Sequence, residues 1–225
     1  MFGKITVITG HYGSGKSTLA ANIALSIAGS GQRVTVVDMD IVNPYYRTSD
    51  LRQLFEAKGV GLLAPMYAGT NLDTPVLDYD ITGIYDEGGY LVIDMGGDDA
   101  GAYPLGKFSE FIREHKSEAD ILCTVNFRRG LTDTPEEALV NLREIENACR
   151  LEITGLAGTT NLSGETDEGV IMDGIRETRK LSVISGIPVK VTAVTNISAC
   201  QGLINRGVPG ENIFPVDILI KNVWD

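Results

Sequence analysis

The stretch from Ile5 to Ser17 reads ITVITGHYGSGKS, and it decides the fold. Its first half is an apolar run rich in β-branched residues, which predicts a buried strand. Its second half, from Gly10 to Ser17, matches the phosphate-loop pattern G-x-x-x-x-G-K-[ST] in full. A helix is predicted directly afterwards, because Leu19, Ile23 and Ile27 recur at helical spacing. The order strand, loop, helix is the context in which this motif binds nucleotide phosphates.

The residue types in this loop suit a nucleoside polyphosphate. Glycines let the backbone curl so that its N–H groups point at a phosphate, and the helix N-terminus adds positive potential. Lys16 is predicted to neutralise the β- and γ-phosphates and to act in catalysis, while the Ser17 hydroxyl binds Mg²⁺. The nucleotide-binding residues predicted in this segment are Gly10, His11, Tyr12, Gly13, Ser14, Gly15, Lys16, Ser17 and Thr18.

Two later strands end in acidic residues. The run Arg33–Asp38 is followed by Asp40, and the run Tyr90–Asp94 is followed by Gly97. Asp94 is predicted to hold a water bound to Mg²⁺, and the backbone N–H of Gly97 to reach a γ-phosphate. Aspartate is also common in turns after strands. The phosphate loop favours the functional interpretation over that one.

Strands and helices alternate along the whole chain. The predicted strands are Ile5–Thr9, Arg33–Asp38, Tyr90–Asp94, Ile121–Val125, Ile153–Thr160, Val189–Thr195 and Ile213–Val216. Their continuous apolar runs are typical of strands covered on both faces. Thr134 and Glu137 predict a capping box with Pro135 at the first helical position, and a weaker helix is predicted over Thr166–Leu181.

These patterns predict a single α/β domain over residues 1–225. Its expected architecture is three-layered, with a mostly parallel sheet of about seven strands between layers of helices. The stretch Gly59–Gly89 has little clear periodicity and is predicted to form a small excursion.

Charge and cysteine content disfavour several classes of function. Nineteen basic against thirty acidic residues give a formal charge of -11, which argues against binding of nucleic acid. The longest charge-free stretch, 17–32, is too short and polar for a membrane span, and no signal-peptide pattern is present. Cys123, Cys149 and Cys200 form no Cys-x-x-Cys pair, which predicts buried thiols in a reducing cytoplasm.

With Asp38-x-Asp40 after the phosphate loop and Asp94-x-x-Gly97 after a later strand, the chain resembles the MinD/ParA/CobQ-type ATPases. These belong to the SIMIBI class and have a deviant phosphate loop. The resemblance implies Mg²⁺ and ATP as ligands, and a homodimer that hydrolyses ATP and switches a protein partner, for example in cofactor or metalloenzyme maturation. It also implies that Asp40 orients the attacking water and contacts the Mg²⁺ shell.

The chain departs from this family at one cation. His11 stands where the family has its signature lysine, and an imidazole is mostly uncharged near pH 7. Arg47 either supplies the missing charge or caps the next segment. Arg128 and Arg129, after the fourth predicted strand, either contact the nucleotide or are solvated, and the solvated interpretation is favoured. The segment after Gly97 resembles the switch of the nitrogenase iron protein but lacks its cysteine, so no iron–sulfur cluster is expected.

The base is predicted from the end of a later strand. Asn161 matches the asparagine of the guanine-reading pattern Asn-Lys-x-Asp, but the aspartate is missing. That favours adenine, with Asn161 at the base edge as the resemblance implies. Pro215 lies in a segment similar to the family loop that packs along the purine. The tail 218–225 has one lysine and no helical stripe, so no membrane anchor is expected.

Two alternatives stay open. One is an ATP-dependent small-molecule kinase or ligase of cofactor synthesis, and the other is a slowly hydrolysing nucleotide sensor. No arginine-rich lid segment supports a kinase, whereas ligases of this branch can share Asp38-x-Asp40. Turnover of the purified protein separates them, because a switch waits for a partner or dimer and an enzyme waits for a small molecule.

Overall fold

The computed structural model of the chain describes residues 2–40, 47–64, 80–97, 103–130, 132–161, 166–195, 202–205, 207–209 and 212–219. Several sequence-based expectations fall outside these ranges: the middle of the predicted excursion (65–79), the segment after Gly97, Cys200 and the end of the tail.

The described residues form an eight-stranded sheet in which every neighbouring pair is parallel. The strands are β1 Ile5–Gly10, β2 Val34–Asp38, β3 Gly61–Leu63, β4 Tyr90–Asp94, β5 Ala119–Val125, β6 Gly155–Gly158, β7 Val189–Val194 and β8 Ile213–Pro215. Their order across the sheet is β3-β2-β4-β1-β5-β6-β7-β8. This confirms the predicted α/β class and the parallel sheet.

One strand was not predicted. β3 lies at the edge of the sheet and pairs only with β2, from Thr35 opposite Gly61 to Val37 opposite Leu63. Its three residues are too few to establish a period, and they are only partly covered. It falls at the start of the stretch Gly59–Gly89, so part of that predicted excursion is a strand of the main sheet.

Six α-helices accompany the strands in the described part of the chain. They are α1 Lys16–Gly29, α2 Arg52–Ala57, α3 Ile81–Asp86, α4 Ser109–Glu114, α5 Pro135–Cys149 and α6 Glu168–Ser185. The predicted capping box is confirmed, because Glu137 N–H donates to Thr134 Oγ1 at 3.2 Å and Thr134 N–H donates to Glu137 Oε2 at 3.3 Å. The last helix begins after Asp167, whose side chain accepts from Val170 N–H.

Apolar side chains project from both faces of the sheet. Ile5 and Val7 of β1 join one buried cluster with Leu142 of α5, whereas Ile8 joins a second cluster with Leu19 of α1. Because successive residues of a strand point to opposite faces, a continuous apolar strand feeds two cores at once. The three-layer architecture follows.

The buried cysteines and the helices agree with the sequence-based picture. Cys123 and Cys149 are buried free thiols, and burial raises the pKa of Cys123 to about 12. Within the described residues, no helix is both long and apolar enough to span a membrane.

At the carboxyl edge of the sheet, β1 lies between β4 and β5, so residues that follow these three strands meet there.

Candidate nucleotide-binding site

The phosphate loop connects β1 to α1 in a tight curl. Gly15 adopts the left-handed conformation, with φ of 91°, immediately before the first residue of α1. Ser14 N–H closes the turn on the His11 carbonyl at 3.1 Å. The Lys16 side chain is buried, and its Nζ donates to the same carbonyl at 3.2 Å. A side chain at position 15 would be strained in this conformation, which explains the glycine there.

Hydroxyl groups from two neighbouring strands hold the loop from behind. Ser14 Oγ and Thr124 Oγ1 are 2.6 Å apart, and the Thr124 hydroxyl donates to the Thr9 carbonyl at 2.9 Å. The Thr159 hydroxyl donates to the Ser14 carbonyl at 2.5 Å. The loop is therefore anchored to β1, to β5 and to the segment after β6 by buried hydrogen bonds.

Gly97 brings the segment after β4 against the loop. A Cβ on this glycine would lie 2.6 Å from Lys16 Nζ and 2.7 Å from Tyr12 N. Real Cβ atoms do not approach so closely, so any larger residue would displace the lysine or the loop backbone. The predicted proximity of Gly97 to the phosphate site is therefore present in the structure.

Asp38, at the end of β2, is fully engaged by neighbours. Its carboxylate accepts from Arg47 Nε at 3.1 Å and Nη2 at 2.9 Å, and from the backbone N–H groups of Ser49 and Asp40, each at 3.2 Å. Both members of this ion pair are buried. The guanidinium of Arg47 thus connects the chain that follows residues 41–46 to the end of β2. Arg47 does not line the cleft described below.

Asp94, at the end of β4, has the opposite character. It is completely buried, and no partner with hydrogen-bond geometry reaches either carboxylate oxygen among the described residues. Burial and then the charge of Asp38 raise the pKa of Asp94 to about 7, against the opposing effects of the Ser17 hydroxyl and the Lys16 charge. A charged carboxylate without a partner is costly at such a position.

The donors near Asp94 fit a magnesium ion carried by a nucleotide. Mg²⁺ prefers oxygen ligands and keeps several waters and phosphates in its shell. The orphaned Asp94 carboxylate and the Ser17 hydroxyl are such oxygens. Among the described residues, no group of three or more His, Cys, Asp or Glu side chains is arranged to hold a metal.

A cleft of about 380 Å³ opens beside the loop at the carboxyl edge of the sheet. Its floor at one end is formed by the phosphate loop and the first turn of α1, together with Asp40. At the other end it is bounded by the segments that follow β5, β6, β7 and β8. The lining residues are Tyr12, Gly13, Gly15, Lys16, Ser17, Thr18, Leu19, Asp40, Asn126, Arg129, Thr159, Asn161, Ala193, Thr195, Val216 and Ile218.

Of the two residues predicted to lie near the base, one is at the far end of the cleft and the other is not. Asn161 lines the cleft, whereas Pro215 is exposed and does not line it. Its neighbours Val216 and Ile218 form the wall instead. Asn22 of α1 fixes this wall, because its Nδ2 donates to the Asp217 carbonyl at 2.9 Å and its Oδ1 accepts from Asp217 N–H at 2.8 Å.

The other predicted residues divide between lining and support. Among the predicted residues that do not line the cleft, Gly10 and Ser14 belong to the backbone frame of the loop, and Asp94 lies buried behind it. His11 Nδ1 faces the Tyr12 carbonyl at 3.1 Å, so its ring is turned toward its own loop. Tyr12 is 58% exposed at the mouth of the cleft.

Comparison with known proteins agrees with this architecture. The model of the ParA family, described as NUBPL iron-transfer P-loop NTPase, matches residues 2–58, which contain the phosphate loop. The cell division protein FtsY of Thermotoga maritima superposes with a TM-score of 0.59 at 17% identity, over 95% of this chain and 65% of that one. The chain shares the fold of that protein, and its phosphate loop lies in the segment that the family model matches.

Two further solved structures have the same fold. The signal recognition particle receptor FtsY of Elizabethkingia anophelis, in complex with GDP, matches with a TM-score of 0.54 and 18% identity, over 84% of this chain and 57% of that one. The signal recognition particle 54 kDa protein of Aeropyrum pernix, also with GDP, gives 0.53 and 18%, over 84% and 40%. The chain spans less than two thirds of the length of each. No curated protein matches it.

Three polar residues that shape the site were not predicted from the sequence. Thr124 and Asn22 are buried in a strand and a helix whose other buried residues are mostly apolar, and a polar residue in such a position is the signal that could have found them. Asn126, just after β5, lines the cleft, and its Oδ1 accepts from the backbone N–H of Arg128 at 3.0 Å.

Proposed function

We propose that this protein belongs to the SIMIBI class of P-loop NTPases, and that it binds Mg-ATP and hydrolyses it as a dimeric nucleotide switch of MinD/ParA/CobQ type that acts on a protein partner. The observation that carries the proposal is the single cleft that contains Lys16, Ser17 and Asp40 at one end and Asn161 at the other. This arrangement offers a cation and a metal-binding hydroxyl to phosphates, and a polar side chain to a base.

The phosphates are held by the loop amides and by Lys16, whose buried position places its charge at the loop itself. The Ser17 hydroxyl and, through a water, Asp94 would hold Mg²⁺, with the nucleotide supplying the other ligands. A bound ion would neutralise charge on the phosphates. It would also stabilise the ionised form of Asp94, which has no hydrogen-bond partner among the described residues.

Asp40 orients the attacking water. Asp38 is excluded from this role in our proposal because Arg47 and two backbone N–H groups already occupy its carboxylate. Asp40 lines the cleft two residues further along, on the side of the metal-binding hydroxyl. Phosphoryl transfer to water asks the protein mainly for a positioned nucleophile and for charge stabilisation, and these residues supply both.

Adenine is proposed as the base, although two of the structural neighbours are complexes with GDP. Guanine readers place an aspartate three residues after the asparagine, where it accepts two hydrogen bonds from the base. This chain has Gly164 at that position. A base edge whose donors find no acceptor costs about 1 kcal/mol or more, so ATP is expected to bind better than GTP.

Dimerisation is proposed from the resemblance and from the exposed aromatic ring of Tyr12 at the mouth of the cleft. A nucleotide bound there would present its phosphate end beside that ring, where a second copy could cover both. Size-exclusion chromatography with and without Mg-ATP tests this step. Nucleotide turnover without any dimer would favour the small-molecule enzyme instead.

The central experiment is calorimetric titration of the parent, Lys16→Ala and Lys180→Ala with Mg-ATP and Mg-GTP. Lys180 is the control because it is an exposed lysine paired with Glu177 on α6. Loss of the buried cation is expected to weaken ATP binding by about 10- to 100-fold, whereas the control stays within twofold. Unchanged affinity in a folded Lys16→Ala protein would refute the phosphate site. Equal affinities for the two nucleotides in the parent would refute the adenine assignment alone.

A further inference from the structure

Arg129 lies beside the phosphate loop, on the side that belongs to β5. Its Nε atom is 3.7 Å from the position that a Cβ would take on Gly13, and its Cζ is 4.0 Å from the same point. The residue also lines the cleft that holds Lys16 and Ser17. The guanidinium thus lies beside the part of the loop whose backbone curls around phosphates.

The two adjacent arginines after β5 have different surroundings. Arg128 Nη2 forms an ion pair with Asp173 at 3.0 Å, on the outside of α6. Arg129 has no acidic partner among the described residues, although the protein carries an excess of acidic side chains. An arginine that turns away from carboxylates and toward a phosphate-binding loop has a position that solvation alone does not explain.

The backbone under Arg129 is fixed, while its side chain remains exposed. Its N–H donates to the Asn126 carbonyl at 3.2 Å, and its own carbonyl accepts from Thr132 N–H at 3.3 Å. Such a turn fixes the origin of the side chain relative to β5 and leaves the guanidinium able to adjust to a ligand.

The cleft is short of positive charge for a nucleoside triphosphate. Lys16 is one fixed cation at the loop, but the charge of Arg47 is neutralised by its ion pair with Asp38. His11 faces a backbone carbonyl of the loop. Three carboxylates, those of Asp38, Asp40 and Asp94, are buried on the other side of the site. A second cation on the β5 side would offset this imbalance.

We propose that Arg129 contacts the phosphates of the nucleotide bound in its own chain, as the second fixed cation of the site. This inference rests on the proposed function. The planar guanidinium offers two parallel N–H donors to phosphate oxygens, which a histidine at position 11 cannot do. The chain then supplies this second charge in cis, and phosphate binding does not wait for a dimer.

The test is titration of the full chain with Mg-ATP and with inorganic tripolyphosphate, a probe that has no base. Arg129→Gln and Arg129→Lys are compared with Arg128→Gln, the neighbouring arginine whose partner is Asp173. Loss of a charge-assisted contact to phosphate is expected to weaken both ligands about tenfold in Arg129→Gln and about threefold in Arg129→Lys. Arg128→Gln should stay within twofold. Thermal melting of each variant verifies that it is folded.

The outcomes separate this inference from the proposed function. If the parent binds and Lys16→Ala does not, but Arg129→Gln matches Arg128→Gln, the role of Arg129 is refuted and the phosphate site stands. If the parent binds neither ATP, GTP nor tripolyphosphate, the site itself is refuted. A repeat over a range of protein concentrations tests the assignment in cis. A defect that appears only where the protein dimerises would assign Arg129 to the partner's nucleotide and overturn it.

Discussion

The two sides of the phosphate site are built differently. On the β5 and β6 side, short hydrogen bonds hold the loop, because the Thr124 hydroxyl contacts the Ser14 side chain and the Thr159 hydroxyl donates to the Ser14 carbonyl. On the β2 and β4 side, carboxylates are gathered in the interior, and one of them, Asp94, is buried with no hydrogen-bond partner among the described residues. The first side is complete as a scaffold. The second side contains an electrostatic cost that a cation would remove.

This difference assigns separate tasks to the two sides. A braced loop loses little conformational entropy when phosphates bind, so it supplies affinity. A carboxylate whose pKa is raised by burial and by a neighbouring charge is typical of a site that handles a metal or a reaction. Substitutions on the two sides of the phosphate site should therefore produce different defects.

The largest expected effect is on the acidic side, at Arg47. Arg47→Ala leaves the Asp38 carboxylate buried without its charge partner, and breaking a buried pair from one side costs about 3–5 kcal/mol of unfolding free energy. Chemical denaturation of the ligand-free protein measures this loss. The matched control is Arg33→Ala, which breaks an exposed pair with Glu87 in which both side chains are 68% accessible. That pair should contribute less than about 1 kcal/mol. Equal losses in both variants would contradict the buried role of Arg47.

The second prediction concerns the pH dependence produced by Asp94. Its pKa is about 7 in the folded protein and near the ordinary value of 3.8 in the unfolded chain. Between those values the folded state binds more protons than the unfolded state, so this group makes stability fall as pH rises from 4 to 7. In Asp94→Asn that contribution is absent. The difference in unfolding free energy between variant and parent should therefore grow in favour of the variant by about 2–3 kcal/mol from pH 5 to pH 8.

Denaturation at several pH values in the presence of a chelator measures this difference. Asp173→Asn, which removes an exposed carboxylate on α6, is the control and should follow the parent at every pH. A pH-independent difference between Asp94→Asn and the parent would show that the carboxylate is not held at a raised pKa.

The third prediction separates binding from chemistry through Asp40. Asp40→Ala should bind Mg-ATP within a few-fold of the parent, since the loop and Lys16 already hold the phosphates. Its turnover should fall about 100-fold or more, the usual contribution of a positioned acid–base or water-orienting group. Single-turnover hydrolysis together with calorimetry gives both quantities. Turnover at the parental rate would remove Asp40 from the mechanism.

The sequence predicted most of the fold because its signals are local and repeated. Continuous apolar strands, the helical stripe of Leu19, Ile23 and Ile27, and the capping box at Thr134 each specify one element. The edge strand β3 has no such signal, since three half-covered residues establish neither a period nor a length. Its place in the sheet depends on pairing with β2, which is a contact between distant parts of the chain.

The candidate site, like the fold, was predictable where a local motif marks it and not where it depends on contacts between distant parts of the chain. The phosphate loop and the acidic strand ends were visible as motifs, whereas the difference between Asp38 and Asp94 was not. Both end apolar strands, and only the three-dimensional contacts show that one carboxylate is paired with Arg47 while the other has no hydrogen-bond partner among the described residues. The position of Arg129 beside Gly13 likewise depends on β5 lying next to β1. Sequence spacing does not contain that adjacency.

The smallest expected effect is on the braced side, at Thr159. Its hydroxyl bridges the Ser14 carbonyl at 2.5 Å and the Val125 carbonyl at 3.0 Å, and thereby fixes the loop to β5. Thr159→Val keeps the shape and removes this bridge. A hydrogen bond of this kind contributes about 0.5–1.5 kcal/mol, so stability should fall by about 1 kcal/mol and ATP affinity by about threefold.

The control for Thr159 is Thr154→Val. Thr154 also joins β5 to the region of β6, because its Oγ1 accepts from Ile121 N–H at 2.9 Å, but it precedes β6 and lies at the opposite edge of the sheet from the cleft. Both variants should lose similar stability in denaturation, and only Thr159→Val should lose affinity for ATP in calorimetry. If affinity falls equally in both, the loss reflects general loosening of the sheet, and the brace behind the loop does not determine binding. If only Thr159→Val is affected, and its turnover per bound nucleotide is unchanged, the braced side supplies affinity and the acidic side supplies chemistry.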